Sequence, residues 1–349
     1  MNSAPLVLVA NAGDGSITTF RLTDGRLDRL AVSSGLPGCS TFAVDGPRGL
    51  VYAGVEPASD GDAGTPAGIV TLALDRETGE LTPRSRVALA DGAMNYLALT
   101  PDGAGLLGAS YDGGYGETFP VDDGTVGAPV SRITFPNLHS VLPSADGRFA
   151  YFVSLGADLV AQYALDDQVR LHPLDPETVP APEGSGPRHL AFSPTQDAVY
   201  VLTEFSGELL NYARNTDTGA LDLRGSVSVV DPAEDLGHSV FGADPLEHHY
   251  IWGADVHLGD DGHRIWTSER TTSTLAASSI SGAGAITAPE KFFPTEPQPR
   301  GFALSADGRY LVAAGERSTS VSLYAVEADD LRLLQQTETG SGANWVRFV

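Results

Sequence analysis

Four Asp-Gly pairs, at Asp102, Asp146, Asp261 and Asp307, each separate two apolar runs in the same layout, and Thr195 occupies the turn position of a copy that has lost the pair. Asp-Gly between apolar segments marks a β-hairpin, because the tight turns that suit twisted strands need positive φ at their centre. The fullest unit runs from Gly301, where GFALS, the turn, RYLVAAGE, SVSLYAVE and LRLLQQTET read as four strands. The layout recurs as YLALTPDGAGLLGASY from Tyr96, HSVLPSADGRFAYFVSL from His139, RHLAFSPTQDAVYVLTEF from Arg188 and ADVHLGDDGHRIWTSER from Ala254. A looser copy is TFAVDGPRGLVYAGV from Thr41. Turn spacings of 44 residues from Asp102 to Asp146, and 46 from Asp261 to Asp307, suit four-stranded propeller blades better than helical repeats.

These copies make six blades, and the ends of the chain supply a seventh. Asn344-Trp345-Val346-Arg347-Phe348-Val349 reads as an inner strand without a following hairpin, whereas residues 6–30 read as three strands lacking an inner one. Pairing them closes the ring and removes two open sheet edges. The expected fold is therefore all-β: a seven-bladed β-propeller of four-stranded blades over residues 1–349 as a single domain. Its 40 glycines and 23 prolines fit many short strands and turns. Two insertions interrupt the pattern: residues 57–66, rich in Asp and Gly, read as a solvated loop. Residues 231–250, with His238, His248 and His249, are placed to cover the open face.

The net charge of -24, from 45 acidic against 21 basic residues, repels a phosphate backbone and excludes nucleic acid as a partner. Cys39 is the only cysteine, so no intrachain disulfide or thiolate zinc site is available, and a cytoplasmic setting fits. The start, Met1 to Pro5, lacks a basic region, and residues 6–10 are too short for a signal core or membrane span. A monomer or weak homo-oligomer without membrane attachment is expected.

Counted from the turn, the position seven residues earlier holds Asn95, His139, Arg188 and Arg300; the position nine residues later holds Tyr111, Glu204, Arg270 and Glu316. Both offsets fall at the hairpin end opposite its turn, so radial symmetry brings them to one mouth of the central channel. Asp255 and His257 lie on another inner strand near the same ring. Several arginines suit an anionic small molecule, since the guanidinium fork grips carboxylate or phosphate. A histidine with a carboxylate beside them makes an acid/base set. The bland reading is that Arg188, Arg270 and Arg300 are consumed by Glu204, Glu269, Glu296 or Glu316.

Other templates are weaker. Asp255-x-His257 and His248-His249 lack a specified third ligand, so no metal is expected, and no cofactor is called for. Ser140 follows His139, yet neighbouring strand residues point to opposite faces, which argues against a serine nucleophile. GDGS at Gly13 and GSGPRH at Gly184 are turns, because no helix follows either.

Over nearly its whole length the chain resembles the cycloisomerase-like 6-phosphogluconolactonase family of seven-bladed propellers, whose fungal branch includes 3-carboxy-cis,cis-muconate lactonising enzyme. The likeness rests on PTEPQPRGFALSADGRYLVAAGE from Pro294, ADVHLGDDGHRIWTSERTTS from Ala254, GPRHLAFSP from Gly186 and the closing GANWVRF. It implies catalytic roles for His139, Arg188, Glu204 and Arg270, with Arg300, Asp255 and His257 in the pocket; the repeat phase adds Asn95 and Tyr111 as binding residues. Leu138 replaces the Cys that often precedes the family's His-Ser, and Asp112 stands where Asn commonly follows the Tyr. The implied activity is a metal-independent lactonase of the pentose phosphate pathway acting on a small anionic sugar lactone, first 6-phospho-D-glucono-1,5-lactone. Either His139 or Glu204 is the base. Muconate-type cycloisomerisation and a non-catalytic scaffold are the rivals.

Overall fold

The computed structural model describes residues 4–57, 64–281, 284–328 and 330–349. Most of the solvated loop expected over 57–66 lies outside these, as do Met1 to Ser3. Seven antiparallel sheets are arranged around a channel, and each inner strand neighbours the next. The inner strands are Thr41–Asp45, Tyr96–Leu99, Leu138–Pro143, Pro187–Phe192, Gly253–Leu258, Pro299–Leu304 and Ala343–Phe348. The last belongs to the seventh blade, as expected: it pairs antiparallel with Leu6–Asn11, Val9 opposite Val346, with two further N-terminal strands outside it.

Three of the four Asp-Gly turns are built alike; in the fourth, Gly259 stands in the hydroxyl's place and Asp261 accepts only from the backbone of His263 and Arg264. Ser305 Oγ donates to Asp307 Oδ1 (2.6 Å), accepts from Tyr310 N (3.0 Å), and Gly308 takes the left-handed φ of +66°. Thr100 with Asp102 and Ser144 with Asp146 repeat the contact. Where Asp-Gly is lost, Gln196 takes the positive φ of 61° and Asp197 supplies the carboxylate to Ser193 and Thr195. The turn survives because its hydroxyl–carboxylate bond and αL residue come from neighbouring positions.

Second strands such as Leu50–Val55 and Phe149–Ser154 are buried on both faces, whereas outer strands such as Leu81–Ala88 alternate toward solvent. The core is thus mainly layers between blades, for example Phe149, Tyr151, Leu210 and Tyr212, with Tyr151 and Tyr212 hydroxyls satisfied by Gly219 O and Pro180 O. Two outer strands are broken in two. Thr125–Val126 and Ser131–Thr134 share one neighbour, as do Ile286–Thr287 and Phe292–Pro294. Pro129 and Pro289, which lack an N–H for the ladder, fall in the gaps. Residues 231–250 carry the short helical turns Pro232–Glu234 and Pro245–His248.

Blades approach closely at the channel. A Cβ on Gly301 would collide with the Asn344 carbonyl of the adjacent inner strand. Gly301→Ala is expected to lower stability by about 1–3 kcal/mol; an unchanged urea midpoint contradicts this packing.

Candidate active site

The residues selected by repeat phase sit at breaks in the ladder. Pairing of the inner with the second strand skips His139 between Leu138 and Ser140, Arg188 between Pro187 and His189, and Arg300 between Pro299 and Gly301. In the fifth blade it skips both Ala254 and Asp255, and in the closing strand it skips Asn344. A bulge leaves its extra residue unpaired and turns that side chain out of the pleat's alternation. His139, Arg188 and Arg300 are thereby aimed into the channel mouth.

Three guanidinium groups and two carboxylates gather there. Glu204 Oε2 accepts from Arg188 Nε (2.9 Å) and pairs with Arg270 Nη2 (2.8 Å), while Oε1 lies 3.3 Å from Trp252 Nε1. Arg270 stacks its Cζ 4.0 Å from the Trp252 ring centroid and donates to Gly253 O (3.0 Å). Arg300 pairs with Glu316 (2.7 Å), about one-third exposed. His139 is buried, its ring 5.5 Å from Tyr111 and 5.1 Å from His189, centroid to centroid. Its Nδ1 finds no hydrogen bond among the described residues, and Ser140 Oγ is committed to Arg188 O (2.6 Å).

All three arginines are ion-paired, so the bland reading holds to that extent, but among the described residues only with Glu204 and Glu316. Glu269 serves Trp252 N, Thr271 N and Thr272, and Glu296 serves Ser318, Ser322 and Gln336. Asn95 spends its amide on His139 O (2.6 Å) and Tyr111 N (2.6 Å), tying two blades together. Asp255 lies deeper, its Oδ1 taken by His189 and Val256 N, its Oδ2 by His257 and Phe302 N. His257 faces away from the cluster, into a cavity of about 580 Å³ at the turn end of the channel with Asp260, Ser305 and Arg347. His249 bonds Glu234 O inside the insertion, which meets the open face through Ser239 N to Phe205 O (3.0 Å).

Two residues of the site escaped sequence reading. Strand alternation puts His189 on the face opposite Arg188, but the bulge at Arg188 lets both reach the channel. Trp252 follows the insertion and belongs to no repeat offset; only its place before the fifth inner strand hinted at it.

A family model described as lactonase, seven-bladed β-propeller, matches residues 7–348. The chain belongs to this lactonase family. It is 27% identical over 327 residues to the 6-phosphogluconolactonase of Klebsiella pneumoniae strain 342, covering 93% of this chain and 92% of that one. To the 6-phosphogluconolactonase of Serratia proteamaculans strain 568 it is 28% identical, covering 99% and 98%. The fold matches that of the periplasmic gluconolactonase of Pseudomonas aeruginosa at a TM-score of 0.85 and 23% identity, over 99% of both chains.

Burial and the crowding of charge set the protonation states in this lactonase. Burial, then Arg188, holds His139 well below the usual imidazole range, so it is neutral. Burial and Arg270 lower Arg188 to about 9, still a cation at neutral pH. Burial favours a protonated Glu204, but Arg270 and Arg188 outweigh it and keep the carboxylate ionised. Asp255, likewise opposed by burial, is held well below its ordinary value by His257 and His189. Folded-state values below the unfolded 4.5 and 3.8 mean that both carboxylates contribute stability that is present above those values and lost as pH falls through the folded ones. The thermal midpoint should therefore drop as pH is taken from about 5 toward 2; a flat profile contradicts the pairing.

Proposed function

We propose that this lactonase hydrolyses an acidic sugar lactone, with 6-phospho-D-glucono-1,5-lactone as the first substrate. The observation carrying this reading is the division of labour at the mouth: Glu204 is saturated by two arginines and Trp252, while His139 is neutral and leaves a nitrogen unbonded. His139 is therefore the base and Glu204 the clamp that orients the arginines. His139 takes a proton from the attacking water as the new C–O bond forms, and Arg270 and Arg188 stabilise the oxyanion. The imidazolium returns that proton to the ring oxygen as the ester C–O bond breaks, leaving a hydroxy acid.

Arg300, half-buried beside the cluster, holds the phosphate or carboxylate by exchanging its bond to Glu316 for one to substrate, while Tyr111 borders His139 and the Arg188–Glu204–Arg270 group. Arg300→Ala is expected to raise KM about tenfold with little change in kcat, and to cost on the order of 1 kcal/mol of stability, as a partly exposed pair should. A fall in kcat alone would contradict a binding role. Asn95 and Asp255 support the site from behind, their polar side-chain atoms already engaged, and His257 reaches it only through Asp255.

The proposed setting is a cytoplasmic single domain, monomeric or weakly self-associating; Cys39, free and buried, accords with it. Among the described residues no helix is long and apolar enough to cross a membrane. A panel of phosphorylated, carboxylated and uncharged sugar lactones tests the reading. Preferential turnover of the phosphorylated lactone is expected. Preference for uncharged lactones, or loss of muconate absorbance without lactone hydrolysis, would overturn it.

A further inference from the structure

Arg188 is 1% exposed, and its donors are directed from two sides. Nε meets Glu204, while Nη1 meets Ala254 O and, at 3.1 Å, His189 Nε2. A guanidinium has only donors to offer, so His189 Nε2 must present its lone pair. The proton of a neutral His189 then sits on Nδ1, which lies 2.7 Å from Asp255 Oδ1. The opposite tautomer would set N–H against N–H at Arg188 and a lone pair against a carboxylate oxygen at Asp255. The imidazolium would keep the first of these conflicts.

The ring has no freedom to escape this choice. Tyr96, His139 and Trp345 box it edge-on, with centroids at 5.1, 5.1 and 5.9 Å. Asp255 is equally fixed: besides His189 it accepts from Val256 N (3.0 Å), Phe302 N (3.2 Å) and His257 (3.0 Å). Burial, then Arg188, pushes His189 down to about 3, in keeping with the neutral form.

We propose that His189 and Asp255 are positioning residues for Arg188: Asp255 selects the Nδ1–H tautomer of His189, and the bare Nε2 holds the guanidinium in line with Glu204. The kinetic part of this proposal rests on the lactonase reading above; the tautomer and the guanidinium geometry do not. His257, one-quarter exposed at the opposite mouth, completes the Asp255 end of the chain.

The test uses the full-length protein. Nitrogen-15 spectra of the imidazoles should show His189 protonated on Nδ1 and bare on Nε2, and the Arg188 Nε–H should exchange slowly with solvent. His189→Gln keeps an acceptor toward Arg188, whereas His189→Leu has similar bulk and none. His189→Leu is expected to lose about tenfold to a hundredfold in kcat together with the slow Arg188 Nε–H, and His189→Gln to keep both within a few-fold of the parent. Asp255→Leu, which offers Nδ1–H no acceptor, should free the His189 ring and speed exchange of the Arg188 Nε–H; unchanged exchange would overturn the role of Asp255. A purely structural role would impair the two His189 variants alike, and that result overturns the proposal. So does a wild-type His189 protonated on Nε2, which needs no variant to fold. If the parent hydrolyses no lactone, the lactonase reading fails while the spectra still decide the positioning of Arg188.

Discussion

Replacing His139 or Arg270 by Ala is expected to lower kcat for the charged lactone by about two to three orders of magnitude. Arg270 is held before substrate arrives, by Glu204 at 2.8 Å, the Gly253 carbonyl at 3.0 Å and the face of Trp252 at 4.0 Å. A charge fixed in a buried site needs no reorganisation when the oxyanion forms, which is why its removal falls on kcat. His139 makes no hydrogen bond that the fold depends on at Nδ1, so its loss removes proton transfer and leaves the ring of blades intact. Because base and oxyanion donor act in one step, the double variant should be little worse than either single one. Initial rates with the panel, with circular dichroism as a folding check, decide the matter. Both single variants within tenfold of the parent would refute the assignment of these residues.

Trp345→Ala is expected to cost about 3–5 kcal/mol of stability. Trp345 is 3% exposed on the strand that closes the ring. Its Nε1 donates to Phe42 O (2.9 Å) on the next blade's inner strand, and its ring meets Tyr96 at 5.0 Å, centroid to centroid. Removing it opens a cavity where the two ends of the chain are joined and leaves the Phe42 carbonyl without its donor. Denaturant unfolding measures the loss. A change below about 1 kcal/mol would mean that closure does not depend on this side chain.

Much of this was legible from residues alone. The Asp-Gly turns located the hairpins because turn chemistry is local: Ser305, Asp307 and Gly308 make their contacts within a few positions. The closing strand was legible because unpaired apolar segments at both ends had one partner each. His139, Arg188, Glu204 and Arg270 were legible because radial symmetry converts a fixed offset from a turn into a shared location. Asp255 and His257 were assigned to that same mouth. Asp255 instead lies below it, and His257 opens on the other end, because strand position was read without depth along the channel.

The apolar runs flanking each turn, the spacing of turns and the complementary termini determined by themselves that this chain forms seven antiparallel blades around an axis. Those are properties of period and local conformation, which sequence carries directly. Only the tertiary structure decided which neighbours of a repeat residue share its direction. A bulge at Arg188 cancels the strand's alternation, so His189 stands beside Arg188 rather than behind it. Only folding, likewise, decided that one carboxylate serves two arginines and leaves His139 unclaimed, since charge pairing depends on distances between blades that no local pattern records.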